Sequence, residues 1–345
     1  MRALVAYKPH DITIEDREPA ASPGPGEVRV RIERGGICGS DLHYYHHGGF
    51  GTVRLKEPMI LGHEVAGRIV EIGSGAANVK VGDQVAINPS MPCGHCRYCL
   101  ENMRNQCLDM RFFGSAMRFP HMQGLFREEA TLPATQVIAV PADLDLGLVA
   151  CAEPFAVCLH AISSAGSLIG KRVLVSGCGP IGCLTIVAAR HAGAQEIVCT
   201  DIASAPLAIA RKLGADHVID LGSEPDALRP FTEGKGIFDI VFECSGNGKA
   251  LASAFEIVRP QGTIIAVGLG GDVSVPLNTA VAKEVTLRGS FRFDAEFGRA
   301  VELITKGAVD LAPLITATLP LDSADEAFRI ASDRTQSMKV QLAFQ

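Results

Sequence analysis

A chain of 345 residues, 47% of them hydrophobic, has the length for about two domains and enough apolar content to give each a core. Its formal net charge of −6, with no basic block, excludes a nucleic-acid surface or an anchor on anionic lipid. No apolar run is long enough to span a bilayer, and Met1 to Pro9 reads as a β-strand rather than a cleaved leader, so a cytoplasmic protein is expected.

Up to about Val149 the pattern is β-rich. Val28, Val30 and Ile32 alternate with charged neighbours, as in a half-buried strand, and Leu61 to Ile72 and Val85 to Ile87 follow suit. Gly73-Ser74-Gly75 and Gly82-Asp83 mark turns, and dense Gly and Pro suggest a small irregular barrel. From about Cys151 the rhythm changes. Helices are expected at Phe155 to Ala165, Pro206 to Leu213 and Lys249 to Val258, with strands at His217 to Asp220, Phe238 to Glu243 and Gly262 to Val267. Such βαβα alternation makes a parallel, doubly wound sheet. The alternation breaks near Ser290, and a helix at Ser323 to Ala331 and a strand at Lys339 to Phe344 are expected to rejoin the first domain.

The chain centres on Gly177-Cys178-Gly179-Pro180-Ile181-Gly182, between the apolar strand Val173 to Ser176 and an apolar helix that Gly193 ends. Ile197 to Thr200 then closes on Asp201, nineteen residues after Gly182. In a dinucleotide turn the first glycine permits a tight bend, the second lets backbone approach a pyrophosphate, and the third lets the helix lie close. Pro180 is tolerated at a helix start, where free N–H groups and the dipole favour phosphate. Asp201 suits a ribose hydroxyl and would repel a 2′-phosphate, which favours NAD over NADP.

Eleven cysteines, an odd number with four inside fifteen residues, point to metal rather than to a disulfide framework. Cys93, Cys96, Cys99 and Cys107 can wrap a zinc ion tetrahedrally from one loop, a closed structural site with His95 as bystander. Cys38, His63-Glu64 and Glu153 form a dispersed set that would suit an open catalytic zinc. Singly, each has an innocent alternative: a small buried thiol, a core hydrogen-bonder, a helix-start carboxylate.

Gly62-His63-Glu64-Val65-Ala66-Gly67, with Gly73 beyond it, resembles the zinc signature of the medium-chain alcohol and polyol dehydrogenases. Glu153, where the alcohol dehydrogenases carry a third cysteine, makes the chain similar to the sorbitol dehydrogenase branch. Arg34 to Tyr45, Ala86 to Ser90, Asp109 to Met117 and Leu287 to Phe293 resemble the idonate dehydrogenases within it. The resemblance implies an α/β architecture: a GroES-like β-rich catalytic domain (1–152), a Rossmann NAD-binding domain (153–290) and a return to the first (291–345). It implies two zinc ions per chain, a sugar acid or polyol as substrate, and a dimer or tetramer built through strands of the nucleotide domain.

In that scheme Cys38, His63 and one of Glu64 and Glu153 hold the catalytic zinc, and hydride leaves C5 of idonate for the nicotinamide. Ser40 would take the alcohol proton and pass it towards His43. Tyr44 and Glu153 would line the substrate, and Arg292, Arg118 or Arg111 would meet its carboxylate, with His46, His47 and His121 as weaker candidates. Val267-Gly268-Leu269 and Ser290-Phe291-Arg292 would touch the nicotinamide side, whereas Pro206 departs from the arginine this branch often has after its acidic ribose ligand. A neutral-polyol or secondary-alcohol dehydrogenase, and a non-catalytic cofactor-binding relative, are the alternatives.

Overall fold

A computed structural model describes residues 1–344. The N-terminal part runs β1 (Arg2–Lys8), β2 (Asp11–Asp16), β3 (Glu27–Gly36), α1 (Gly39–His47), β4 (Glu64–Ile72), β5 (Gln84–Ile87), β6 (Glu129–Pro133) and β7 (Val137–Val140). Val28, Val30 and Ile32 of β3 are fully buried and turn the same face to the core, as their period of two requires. The segment expected as one strand from Leu61 is broken: Met59–Ile60 pairs with β1, and β4 begins only at Glu64. Gly62, at φ +90°, makes the break, and a Cβ there would sit 2.1 Å from the Phe126 ring.

The second part begins with α2 (Ala152–Ala165) and continues as β8 (Arg172–Ser176), α3 (Pro180–His191), β9 (Glu196–Asp201), α4 (Ser204–Lys212), β10 (His217–Asp220), β11 (Phe238–Glu243), α5 (Gly248–Ile257), β12 (Val258–Ala266), α6 (Leu277–Lys283) and β13 (Thr286–Gly289). Its six strands are all parallel in the order β10-β9-β8-β11-β12-β13, a Rossmann sheet. Val173, Leu174 and Val175 are buried on both faces, because helices cover the sheet front and back. After β13 come α7 (Glu296–Thr305), β14 (Ile315–Pro320), α8 (Ala324–Ser332) and β15 (Lys339–Ala343).

Helix α7 continues the helical rhythm past Ser290 and packs on α2, with Phe297, Ala300, Val301 and Ile304 buried between them. β15 pairs antiparallel with β3, so the larger N-terminal sheet runs β7-β5-β4-β3-β15-β14, with β6 also on β3. One apolar core joins α2, α3 and α7 to Ala66, Ala86, Phe112 and Val140 of the N-terminal part. Phe155 of α2 is fully buried there, a contribution of about 2–3 kcal/mol. This shared core fixes the strand ends of both sheets around one cleft. No helix among the described residues is long and apolar enough to cross a membrane.

Candidate active site

Three adjacent strands converge on one point. Gly36, at the end of β3, lies opposite Glu64, at the start of β4, and β15 lies on the other side of β3. The register brings Cys38, His63, Glu64 and Lys339 together, and a Cβ at Gly36 would come within 2.3 Å of the Glu64 carboxylate. Ligand atoms of Cys38, His63 and Glu64 all lie within 4.8 Å of one another. Glu153 enters from the first turn of α2, also buried, but outside that tightest group.

Two residues hold this cluster that sequence reasoning missed. Asp41, fully buried on α1, accepts from Cys38 N at 2.9 Å and from Gly62 N at 3.1 Å, tying the thiol's loop to the histidine's. Its place at N3 of the helix, with Cys38 as N-cap, is the readable signal. Lys339 donates to both Glu64 oxygens, at 2.9 and 2.7 Å, and to Ile37 O at 3.1 Å. A lysine opening the expected strand Lys339 to Phe344 was its signal.

The electrostatics call for a cation. Burial opposes a charged His63 imidazole, yet Cys38 and Asp41 outweigh it and bring the imidazole up to about 10. His63 Nδ1 is buried without a hydrogen-bond partner, 3.9 Å from Asp41 Oδ1, a position from which a carboxylate orients a metal-ligating imidazole. Burial pushes the Glu153 carboxyl up to about 7, against the pull of His63. A thiol, an imidazole and a carboxylate with a second carboxylate close by fit an open zinc site.

The four-cysteine lobe fits a closed one. Sulfur separations are 3.5 Å (Cys96–Cys99), 3.9 Å (Cys96–Cys107) and 4.0 Å (Cys93–Cys99). A ZnS₄ tetrahedron with bonds near 2.3 Å has edges of roughly 3.8 Å. Backbone N–H groups of Cys93, Cys96 and Asp109 point at sulfurs, and those of Cys99 and Leu108 bring the Cys96 thiol down to about 6. All eleven cysteines are free.

A cavity of about 470 Å³ runs from Cys38, Glu64 and Lys339 to Gly177, Gly179, Pro180, Ile181 and Asp201. Gly177 has φ +88°, and a Cβ on Gly182 would lie 1.8 Å from Gly177 O, whereas one on Gly179 would meet nothing within 4 Å. The turn is thus closed on the protein side and open towards the cavity, as a cradle for phosphate must be. Asp201 accepts from Cys178 N (2.7 Å), Ile202 N (2.7 Å) and Ala203 N (3.0 Å), which fixes its carboxylate at the end of β9. Val267, Gly268, Leu269, Ser290 and Phe291 line a second cavity, of about 720 Å³, that shares no lining residue with the first.

Arg292, at φ +55°, is held across Phe112, with its guanidinium 4.4 Å from the ring centroid and Nη2 2.8 Å from Met117 Sδ. Phe112 in turn packs edge-on to His63, 5.4 Å between centroids. Burial lowers the Arg292 guanidinium and Glu153 works against that. Ser40 stands half-buried and His43 exposed on α1, and Arg111 is exposed.

Three residues expected to meet the substrate have partners within the protein. Tyr44 is 1% exposed and its hydroxyl accepts from Ala116 N at 2.9 Å, so it is a core residue with its oxygen engaged. Arg118 is paired with Asp109. His121 is buried and braces a loop, accepting from Lys56 N at 2.8 Å. His46 is bonded to Ser332 Oγ at 2.7 Å, and His47 lies beside it.

Known proteins are similar to this chain in sequence and in fold. The alcohol dehydrogenase GroES-like domain matches residues 24–142, and the zinc-binding dehydrogenase family matches residues 180–306. L-Idonate 5-dehydrogenase (NAD(P)(+)) of Escherichia coli K12 is 46% identical over 91% of both chains. Sorbitol dehydrogenase of Gallus gallus is 34% identical over 99% of this chain and 95% of its own. The crystal structure of L-idonate 5-dehydrogenase from Escherichia coli superposes with a TM-score of 0.94, at 43% identity, over 99% of this chain and 98% of that one. The chain belongs to the zinc-dependent medium-chain dehydrogenases and is an NAD(P)-linked, zinc-binding oxidoreductase of the alcohol and polyol class, acting on CH–OH.

Proposed function

We propose that this chain oxidises the 5-hydroxyl of L-idonate to 5-keto-D-gluconate, reversibly, with NAD as the preferred hydride acceptor. The observation that carries the substrate is Arg292: a half-buried guanidinium, without a carboxylate partner among the described residues, held across Phe112 from His63. A planar fork in that position suits the carboxylate of a sugar acid and offers a neutral polyol little. The idonate dehydrogenase relative supports the same reading.

Zinc held by Cys38, His63 and Glu64, with Glu153 beside them, would supply Lewis acidity towards the substrate oxygen. NAD seated on Gly177, Gly179, Pro180, Ile181, Gly182 and Asp201, and reaching towards Val267 to Leu269, Ser290 and Phe291, would supply the hydride acceptor. The buried, unpartnered Ser290 hydroxyl is a free group for that cofactor. Ser40 takes the proton of the substrate hydroxyl and His43 receives it. Burial, then His47 and Arg334, hold the His43 imidazole below its ordinary value, which keeps it neutral and ready to accept. Lys339 donates to both Glu64 oxygens, and Glu153, near neutral in its titration, changes protonation state at little cost.

NAD is favoured because Asp201 fixes a negative charge where a 2′-phosphate would fall, and Ile202-Ala203-Ser204 bring no cation. In our reading the four-cysteine lobe holds a second, structural zinc. Residues 1–152 and 291–345 form the catalytic domain around a nucleotide domain at 153–290, with α7 at the seam. The exposed edge strand β13 pairs with its copy in a dimer or tetramer. The cytoplasm suits eleven free thiols.

A rate panel of idonate, 5-ketogluconate, sorbitol and threonine with NAD and NADP tests the reading. Idonate with NAD should lead, and Arg292→Ala should raise KM for idonate far more than for sorbitol. Equal effects on both, or sorbitol as the better substrate, would favour the neutral-polyol reading that the sorbitol dehydrogenase relatives support.

A further inference from the structure

Three cationic side chains line the cavity between the glycine turn and the zinc ligands: Lys249, Arg334 and Lys339. Lys339 is engaged with Glu64 and Ile37 O. Lys249 stands on α5, on the wall made with Ala250, Ser253 and Leu228. Arg334 comes from the other side, on the 333–338 loop between α8 and β15, and is exposed.

That loop is braced without using the guanidinium. Asp333 accepts from Thr335 N (2.9 Å), Thr335 Oγ1 (2.6 Å) and Gln336 Nε2 (2.5 Å), and Ser337 Oγ donates to Ile330 O at 2.7 Å. The carboxylate nearest to Arg334 in the chain is therefore satisfied by its other neighbours. No ion pair or hydrogen bond engages the Arg334 guanidinium among the described residues. Its charge is nonetheless felt across the cleft at His43, one turn into α1 from Gly39, a residue of the same cavity.

We propose that Arg334 is the cation that closes over the cofactor's pyrophosphate, opposite the N-terminus of α3. The proposal rests on the dehydrogenase reading and names a residue of its cofactor site. Apart from Arg334, the cavity's ionisable lining sums to zero, Glu64 and Asp201 against Lys249 and Lys339, leaving the Cys38 thiol aside. The turn itself offers only neutral N–H groups and a helix dipole. A diphosphate brings negative charge into this cleft, and a guanidinium on a braced loop offsets part of it at low ordering cost. A substrate carboxylate is the lesser match, since Arg292 and Phe112, beside His63, do not line this cavity, while Gly177, Gly179 and Pro180 do.

The test measures binding to the intact, zinc-loaded chain by NADH fluorescence and by calorimetry with ADP-ribose and AMP, for wild type, Arg334→Gln and Arg334→Lys. Arg334→Gln should weaken NADH and ADP-ribose roughly tenfold, leave AMP within about twofold, and flatten the salt dependence of NADH binding. Arg334→Lys should recover part of the loss. NADH affinity unchanged in Arg334→Gln overturns the assignment, as does a rise confined to KM for idonate, which would give the guanidinium to the substrate. An equal loss of AMP and ADP-ribose overturns it too, since the pyrophosphate would then not be what is sensed. A wild-type chain that binds neither NADH nor ADP-ribose would instead refute the dehydrogenase reading beneath it.

Discussion

Replacing Lys339 with methionine removes the partner of Glu64 and leaves its volume. Both side chains are nearly sealed from water, 2% exposed for Lys339 and 1% for Glu64. Lys339 makes three contacts there, two to the carboxylate and one to Ile37 O, and the carboxyl groups of Asp41 and Glu153 are also buried nearby. An orphaned buried charge costs about 3–5 kcal/mol, several times the worth of an exposed pair. For a chain of this size that is a fall in Tm on the order of 5–10 °C. Removing both charges leaves no orphan, so Glu64→Gln with Lys339→Met should cost at least about 2 kcal/mol less than the sum of the single changes. Guanidinium unfolding of the four proteins, with zinc at fixed excess and again after chelation, makes the cycle, because zinc at Glu64 would partly replace the lysine. A Lys339→Met loss below about 1 kcal/mol, or additivity of the two changes, would refute the view that this pair is a coupled, desolvated unit.

Gly182→Ala should weaken NADH binding by about tenfold or more and lower stability by about 1–3 kcal/mol, since its Cβ would lie 1.8 Å from Gly177 O. Gly179→Ala, with open space around its Cβ, should fold normally and still lose NADH affinity, and a normal affinity would show that no ligand uses that space. Glu296 is held to about 2: burial would raise it, but the hydrogen bonds with His160 and from Asp294 N outweigh that. Because its folded value is depressed, its stabilisation of about 1–3 kcal/mol is present above the ordinary 4.5 and lost as pH falls towards 2. The stability gap between wild type and Glu296→Gln, followed across that window, should close as the acid side is approached. Asp201→Asn should cut the ratio of kcat/KM for NAD over NADP by about tenfold, and an unchanged ratio would remove Asp201 from cofactor choice.

The features legible in the sequence are the local ones. The glycine turn, its flanking strand and helix, and the four-cysteine lobe each close within a few residues, so spacing alone carries their geometry. The catalytic cluster does not. Lys339 lies 275 residues from Glu64, and only the antiparallel pairing of β15 with β3 makes them neighbours. Asp41 reads locally as a helix-start acid, and its second bond, to Gly62, depends on tertiary folding. Helix α7 was missed because the loop after Ser290 interrupts the alternation, although it keeps a full apolar face for α2, and α6 because its seven residues bury only Lys283 and so show no apolar stripe. Tyr44 shows the converse: an aromatic on the right helix, with its hydroxyl satisfied inside the core.

Zinc analysis of the purified chain, run beside NADH formation from idonate, bears most directly on the account. Wild type should carry two zinc ions, one for each ligand cluster, and turn over. Cys38→Ala should carry one, remain folded through the intact four-cysteine lobe, and form no NADH. A Cys38→Ala protein that keeps both ions, or that still reduces NAD at the wild-type rate, would contradict the assignment of the catalytic metal to this cluster.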